Sequence, residues 1–279
     1  MKLFITACFA VFIFSCYSQC VIYVRGQQGN ILIPFTENSL GINVPCDINS
    51  KKWKNYTEPQ LLDSVKGEFY VYSSKGLEGK AKVISIDSTY NNGPYCGPII
   101  KFSGRDYDTT ELFALKTKWN IQPRPSFILN NENPVYKEAI KNILDQKTGL
   151  KNSAVVIKKI IKTDLDGDRK DEVIIQAANH PDIYNAGKGD YSIVIMQHII
   201  KEKAVTDILT FQYKDDSCEV SEGTPCTITQ YNISAILDLN GDGTMELLIT
   251  DADHESDGVT AYELTQEGLK AVLDWGCGD

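Results

Sequence analysis

Two short acidic loops hold the residues of this sequence whose types and spacing could do chemistry. The first is DLDGDRKDE at 164–172, and the second is DLNGDGTME at 238–246. Both place oxygen-bearing side chains at loop positions 1, 3, 5 and 9 and a glycine at position 4. Oxygen atoms at alternate positions of a tight turn converge on one point, and Ca²⁺ takes about six to eight oxygen ligands. The sequence therefore predicts two calcium sites.

The predicted ligands are the side chains at positions 1, 3, 5 and 9 and the backbone carbonyl at position 7. In the first loop these residues are Asp164, Asp166, Asp168, Lys170 and Glu172. In the second loop they are Asp238, Asn240, Asp242, Thr244 and Glu246. The carboxylate at position 9 should close each site where the next strand begins. The glycine at position 4 permits the backbone angles that such a turn needs.

Acidic residues are concentrated in these loops. The chain has a net charge of −9. The first loop has five acids against Arg169 and Lys170, and the second has three acids and no base, so each loop carries −3. A local excess of acid fits cation binding, and the lack of a basic surface excludes a nucleic-acid-binding protein. A further acidic stretch, 251–257, follows the second loop, and it either extends that site, binds a partner or is a solvated connection.

An EF-hand is the main alternative for this spacing, and the sequence argues against it. An EF-hand needs Glu at position 12 and usually has Gly at position 6. Position 12 is Ile175 in the first loop and Ile249 in the second, and position 6 of the first loop is Arg169. The flanking residues alternate like strands and lack helical periodicity. The sequence thus predicts a strand–loop–strand site.

The loops lie within eight predicted strands in the second half of the chain. These strands form two sets of four in the same order, and the two loops begin 74 residues apart, at Asp164 and Asp238. Two copies of a four-stranded unit predict propeller-like blades. The predicted strands are 155–161, 172–178, 191–200, 204–213, 231–239, 246–252, 259–264 and 269–275.

The first half of the chain is also β-rich. The predicted strands there are 21–24, 30–35, 67–74, 80–87 and 98–103. Segments 36–60 and 88–97 have the composition of loops, and 111–121 fits either a strand or a helix. The predicted fold class is therefore mostly β, with propeller-like four-stranded units in the C-terminal half, a β-rich N-terminal half and one helix near 134–148.

That helix is indicated by its ends and by one apolar face. Pro134 suits the first helical position, and Gly149 suits the left-handed residue that ends a helix. The residues predicted to share the buried face are Val135, Ala139, Ile140, Ile143 and Leu144.

The two loops and the strands after them resemble the FG-GAP/VCBS repeat, the calcium loop of integrin-α-type β-propeller blades. The family pattern is similar to D-x-D/N-G-D-G-x-x-D/E before a hydrophobic strand, and it appears here as DLDGDRKDEVII and DLNGDGTMELLI. The resemblance covers about residues 155–279 and implies calcium at the eight side chains named above. The first loop departs from the pattern at Arg169, where Gly is usual. We expect that residue to weaken the turn or to be strained, and Asp171 could substitute for Glu172 as a ligand.

The N-terminal sequence predicts an exported protein. One Lys is followed by an apolar run over 3–14 and then by small residues, which is the pattern of a secretory signal. Cleavage after Ser18 would give a secreted chain. The tetrad 13–16 also fits a loose lipobox, which would place a lipid anchor on Cys16 at the cell surface or in the periplasm. Both alternatives stay open, and no segment is long and apolar enough for a transmembrane helix.

These features divide the chain into a signal peptide at 1–18, a β-rich region of unknown role at 19–125 and a calcium-binding β region at 126–279. The boundary is placed in the Pro-rich stretch 122–126. Six cysteines lie outside the signal. An even number in an exported chain predicts disulfides, and the favoured pair is Cys218–Cys226.

Known catalytic motifs are absent from the sequence. It lacks GxSxG, a P-loop, GxGxxG and HExxH. His198 lies in an apolar strand and is interpreted as a core or edge histidine. The leading interpretation is an exported calcium-binding protein that acts as a non-enzymatic binding or adhesion module for a protein or glycan ligand. The alternatives are a secreted or surface hydrolase with catalytic residues in the N-terminal half, and a structural envelope protein.

Overall fold

The computed structural model describes residues 67–87, 119–149, 154–200, 202–215 and 226–278, and also the strand residues 22–24, 30–32, 44–45, 53–54, 99–103 and 112–115. These residues form seventeen strands and one helix. None of the helical residues among them makes a segment with the length and apolarity that a membrane crossing requires.

The first nine strands precede the helix. They are β1 (Ile22–Val24), β2 (Asn30–Leu32), β3 (Val44–Pro45), β4 (Trp53–Lys54), β5 (Glu68–Ser73), β6 (Gly76–Asp87), β7 (Ile99–Ser103), β8 (Leu112–Leu115) and β9 (Phe127–Ile128). The helix and the remaining strands are α1 (Pro134–Thr148), β10 (Ile157–Thr163), β11 (Glu172–Ala178), β12 (Tyr191–Ile200), β13 (Lys203–Tyr213), β14 (Gln230–Leu237), β15 (Glu246–Ala252), β16 (Ser256–Thr265) and β17 (Gly268–Gly278).

The strands pair antiparallel throughout. The N-terminal strands form a closed barrel in the order β1-β2-β7-β6-β5-β8 and a separate β3-β4 ladder. Sheet 1 has the order β13-β12-β11-β10-β9, and sheet 2 has the order β14-β15-β16-β17. The prediction of a mostly β chain is confirmed, and the two predicted sets of four strands are separate up-and-down meanders.

The helix α1 packs on one face of sheet 1. The Asn133 side chain accepts a hydrogen bond from the Val135 N–H, and Gly149 ends the helix in the left-handed conformation with φ 70°. Ile140 and Leu144 are fully buried against the sheet. Val135 is 68% exposed, so its predicted place on the buried face was wrong. Tyr136 takes that place. It lies four residues before Ile140 and shares its helix face, whereas Val135 lies five residues before Ile140 and does not.

Alternation along β12 shows how sheet 1 is buried on both sides. Tyr191, Ile193 and Ile195 face α1, whereas Val194 and Met196 face sheet 2. Consecutive side chains of a strand point to opposite faces, so a strand buried on both sides has a nearly continuous apolar sequence. Full burial of each aliphatic side chain contributes about 1.5–3 kcal/mol.

Sheet 2 is also buried on both faces. Leu247 and Ile249 pack towards sheet 1, and Leu248 packs towards Phe113 and Leu115 of the barrel strand β8. The layers therefore follow the order α1, sheet 1, sheet 2 and barrel.

A β-bulge in β14 connects the two sheets. The register between β14 and β15 shifts between Ile233 and Ala235. At the bulge, the Ile233 N–H donates to Gln176 Oε1 (3.1 Å), and the Ile233 carbonyl accepts from Lys159 Nζ (2.8 Å). Both side chains belong to sheet 1, so they satisfy backbone groups of the neighbouring sheet at its irregular point.

The segment 111–121, left open between strand and helix, contains the strand β8. Three sequence predictions needed correction. The segment 36–60, predicted as a loop, contains the β3-β4 ladder. The strand β9 was not predicted. β16 begins at Ser256, earlier than expected, because Asp257 and Gly258 pair with β17 despite their low strand propensity.

Candidate metal centre

The two acidic loops occupy equivalent places in the two sheets. Loop 1 (164–172) joins β10 to β11, and loop 2 (238–246) joins β14 to β15. Thr163 pairs with Glu172, and Leu237 pairs with Glu246. In each loop the position-9 glutamate is therefore the first residue of the second strand, as the sequence predicted.

Loop 1 is held by five hydrogen bonds from backbone N–H groups to side-chain oxygens. The two carboxylate oxygens of Asp164 accept from Gly167 (2.6 Å) and Arg169 (3.1 Å). Glu172 Oε2 accepts from the Leu165 N–H (2.7 Å). The other two bonds run from Asp168 N to Asp166 Oδ1 (3.0 Å) and from Lys170 N to Asp168 Oδ1 (2.7 Å).

Loop 2 repeats the same five bonds. Asp238 accepts from Gly241 (2.6 Å) and Gly243 (3.0 Å), and Glu246 Oε2 accepts from the Leu239 N–H (2.7 Å). The other two run from Asp242 N to Asn240 Oδ1 (2.8 Å) and from Thr244 N to Asp242 Oδ1 (2.7 Å). The side chains that turn each loop are therefore those whose oxygens were predicted as ligands.

Two residues of each loop have left-handed backbone. At position 4, Gly167 has φ 83° and Gly241 has φ 75°. At position 6, Gly243 has φ 93°, and Arg169 has φ 69°. Arg169 is therefore strained by its left-handed backbone. The turn is nevertheless intact, because loop 1 keeps all five bonds. A residue with a Cβ in this region costs about 1–2 kcal/mol.

The glutamates at position 9 are buried. Glu172 is 3% exposed and Glu246 is fully buried. Glu246 Oε2 accepts from Leu239, but Glu246 Oε1 has no hydrogen-bond partner. A buried carboxylate oxygen without a donor is costly, and a cation beside it removes that cost. The oxygen-only donor set and this orphaned atom both fit Ca²⁺.

Burial changes the protonation of these acids. Burial raises the pKa of Glu172 to about 7, with a further contribution from Asp166 and Asp164. Burial and the neighbouring Asp242 and Asp238 raise the pKa of Glu246 well above its ordinary value. The pKa of Asp238 is also raised, mainly by burial. In the absence of a cation, these three buried acids therefore bind a proton more readily than an exposed acid does.

Metal-stripped protein should become more stable as the pH falls from 8 to 5. The folded pKa of Glu172, about 7, exceeds the ordinary value of 4.5, so between these values the folded state binds a proton that the unfolded chain does not. This stabilisation is complete below the ordinary value and is lost as the pH rises through about 7. Urea unfolding in metal-free buffer at several pH values measures it. Glu172→Gln should flatten the profile, and Glu267→Gln, in the exposed turn between β16 and β17, is the control. An unchanged profile for Glu172→Gln would contradict the assignment.

Three predicted ligands of loop 1 converge. Oxygen atoms of Asp164, Asp166 and Glu172 lie within 4.8 Å of one another. Asp171 is ion-paired to Lys162 at 2.8 Å and does not join them. Glu172 is thus the position-9 carboxylate that reaches into the loop. Loop 2 has an amide oxygen, on Asn240, at the position of Asp166.

Sequence reasoning missed two side chains that donate hydrogen bonds to the loops. Both lie in the segment 119–125, called the strap below. The Trp119 indole N–H donates to the Asp238 carbonyl at 2.9 Å, and Arg124 Nε donates to the Asp164 carbonyl. The position-1 carbonyl of each loop therefore accepts from a strap side chain. The only sequence signal here was the Pro-rich composition, which was used to place a domain boundary.

The acidic stretch 251–257 lies at the other end of β15 from loop 2. Asp253 accepts from the N–H groups of Glu255 (2.9 Å) and Ser256 (2.7 Å), and so forms the turn between β15 and β16. Burial, with Asp274 nearby, raises the pKa of Asp251 to about 6. Four strand residues, 247–250, separate this stretch from loop 2, and the strand rises about 17 Å from Glu246 to Asp251, so the stretch does not extend that site.

A histidine–carboxylate pair is present in the β12–β13 hairpin. His198 Nε2 lies 2.8 Å from Asp207 Oδ2, and the His198 side chain is 3% exposed. The pair joins the two strands of this hairpin, with the histidine buried as the sequence suggested. Cys226 is disulfide-bonded. Its predicted partner, Cys218, lies outside the described residues, so the pairing stays a prediction.

Comparisons with known proteins add no relative. No family model matches the chain. No curated protein and no solved structure matches it either. The resemblance to FG-GAP/VCBS repeats therefore rests on the two loop motifs themselves.

Proposed function

We propose that this is an exported calcium-binding protein in which each acidic loop holds one Ca²⁺ ion. The ions stabilise two propeller-like units, and the protein acts as a non-enzymatic binding or adhesion module for a protein or glycan ligand. The observation that carries the calcium assignment is the orphaned Oε1 of Glu246, which is buried beside the acids of loop 2.

Charge and donor chemistry support calcium in both loops. Each loop carries −3, and the five backbone bonds fix its oxygens at the same positions in the turn. Crowded carboxylates repel one another, and a dication removes most of that repulsion. Calcium tolerates irregular coordination by many oxygens, whereas magnesium demands a near-ideal octahedron. An irregular arrangement of carboxylate, amide and carbonyl oxygens therefore favours calcium.

The position of the loops supports a structural role for the ion. Each loop closes the first hairpin of a four-stranded meander, and the two meanders pack face to face. Two sequential four-stranded meanders that pack face to face support the proposal of propeller-like units. An ion bound only by the folded chain stabilises it by mass action. The signal-like N-terminus and the disulfide at Cys226 support export to an oxidising compartment.

Thermal unfolding of metal-stripped protein tests the proposal. At a calcium concentration 100 times Kd, each site adds about 2.7 kcal/mol, so two sites should raise Tm by about 10 °C or more. Magnesium at the same concentration should have a much smaller effect. The double variant Asp166→Ala with Asp242→Ala should lose the calcium response. Asp171→Asn is the matched control, because Asp171 is ion-paired to Lys162, and this variant should keep the calcium response. Equal Tm values with calcium and with chelator would overturn the assignment.

A further inference from the structure

We propose that the two loops form one cooperative unit, in which calcium in one loop raises the affinity of the other. This inference rests on the proposed calcium sites and concerns how they are linked. The link has two parts, a direct bond between the loops and the side chain of Arg124.

The direct bond joins the backbones of the two loops. The Met245 N–H of loop 2 donates to the Leu165 carbonyl of loop 1 at 2.8 Å, and both residues are fully buried. The N–H of Leu165 is itself bound by Glu172. Met245 directly precedes Glu246. A short buried path therefore connects the position-9 carboxylate of one loop to that of the other.

Arg124 holds both loops with a single guanidinium group. Its Nε donates to the Asp164 carbonyl, and its Nη2 donates to the Leu165 carbonyl and to the Gly243 carbonyl at 2.6 Å. The side chain is 19% exposed. The guanidinium is a rigid planar fork, so its contacts in one loop constrain its contacts in the other. Gly243 immediately precedes Thr244, whose carbonyl is a predicted ligand.

These contacts give the coupling its sign. A cation fixes the loop that binds it, and here it also fixes the shared carbonyls and Arg124. The second loop is then already partly ordered when its cation binds. Binding of the second cation loses less conformational entropy, which gives positive cooperativity. The first ion changes the charge of its loop from −3 to −1, which reduces the attraction of the second ion, so positive cooperativity requires the shared ordering to exceed this electrostatic loss. The charge of Arg124 is the same in every binding state and does not oppose the coupling.

Calcium titration of the full, metal-stripped chain by calorimetry tests the inference. Asp166→Ala leaves only loop 2, and Asp242→Ala leaves only loop 1. We expect each remaining site to bind about five-fold or more weakly than the matching site when its partner is filled. When Arg124→Gln is also present, disabling one loop should change the calcium affinity of the other loop by much less than it does in the chain with Arg124. Lys82→Met is the control for loss of one positive charge and should keep the full coupling.

The outcomes separate the inference from the proposed function. Two sites that bind calcium with affinities unaffected by each other would overturn the coupling and leave the proposed function standing. No binding at either loop would overturn both. If Arg124→Gln does not fold, the comparison of the wild-type chain with the two single-loop variants still decides whether coupling exists, because it leaves Arg124 unchanged.

Discussion

Glu246→Gln should stabilise the metal-free protein and destabilise the calcium-loaded protein. Without metal, the substitution removes a buried, poorly partnered carboxylate, and its carbonyl can still accept from Leu239. We expect a gain of about 1–3 kcal/mol at pH 7.5, the usual cost of an unsatisfied buried group. With calcium, the change removes a charged ligand and most of the stabilisation from that site, about 2–3 kcal/mol.

Urea unfolding with chelator and with excess calcium measures both effects. Glu267→Gln, in the exposed turn between β16 and β17, is the control and should change neither. A change of the same sign under both conditions would show that Glu246 does not hold a cation. Glu172→Gln, in loop 1, should also stabilise the metal-free protein and destabilise the calcium-loaded protein. Both changes should be smaller than for Glu246→Gln, because the raised pKa of Glu172 is close to the working pH.

Gly241→Ala should destabilise the protein by about 3 kcal/mol or more. Gly241 has φ 75°, which costs a residue with a Cβ about 1–2 kcal/mol. Its added methyl group would also lie 2.9 Å from Cδ2 of the Trp119 indole, and overpacking of this kind costs about 1–3 kcal/mol. The indole is rigid and is fixed by its bond to Asp238. The strap or the loop must therefore move.

Gly167→Ala is the matched variant in loop 1. It has the same backbone problem, with φ 83°, but its nearest neighbour is the end of the Arg124 side chain at 3.2 Å. The Arg124 contact requires a shift of only a few tenths of an ångström, so we expect a cost near 1–2 kcal/mol, mainly from the backbone. Chemical unfolding of both variants gives the difference. Adding Trp119→Ala to Gly241→Ala should recover the overpacking part, and equal losses at the two glycines would contradict the assigned contact.

The strands of the C-terminal half could be predicted from local pattern. β11, β12 and β15 have the predicted bounds, because runs such as those of Ile174 and Ile195 can be buried only in a strand covered on both faces. The helix could be predicted because its signals, Pro134 and Gly149, act through local backbone geometry. The loop residues proposed as ligands could be singled out for the same reason, since their spacing lies within nine residues.

The missing features depend on partners that are distant in the sequence. Phe127 and Ile128 are 54% and 57% exposed, and β9 exists only because it pairs with β10. The bulge at Ile233 is stabilised by side chains of another sheet. The strap side chains donate to backbone carbonyl groups. Every residue has such a group, so the sequence does not mark which residues will be the acceptors. A pattern within one segment contains no information about such contacts.

The strap also constrains the order in which the chain can assemble. Arg124 meets its first partner 40 residues later, but Trp119 meets Asp238, and Arg124 meets Gly243, only after 119 residues. Bringing together residues that are far apart in the sequence loses chain entropy before the contact contributes any stabilisation. Folding is therefore slower when such long-range contacts dominate. During synthesis the first meander can form on the strap while the second is still absent. Docking of the second meander onto Trp119 is then the late step, so a chain begun at residue 126 would lack the surface on which that step takes place.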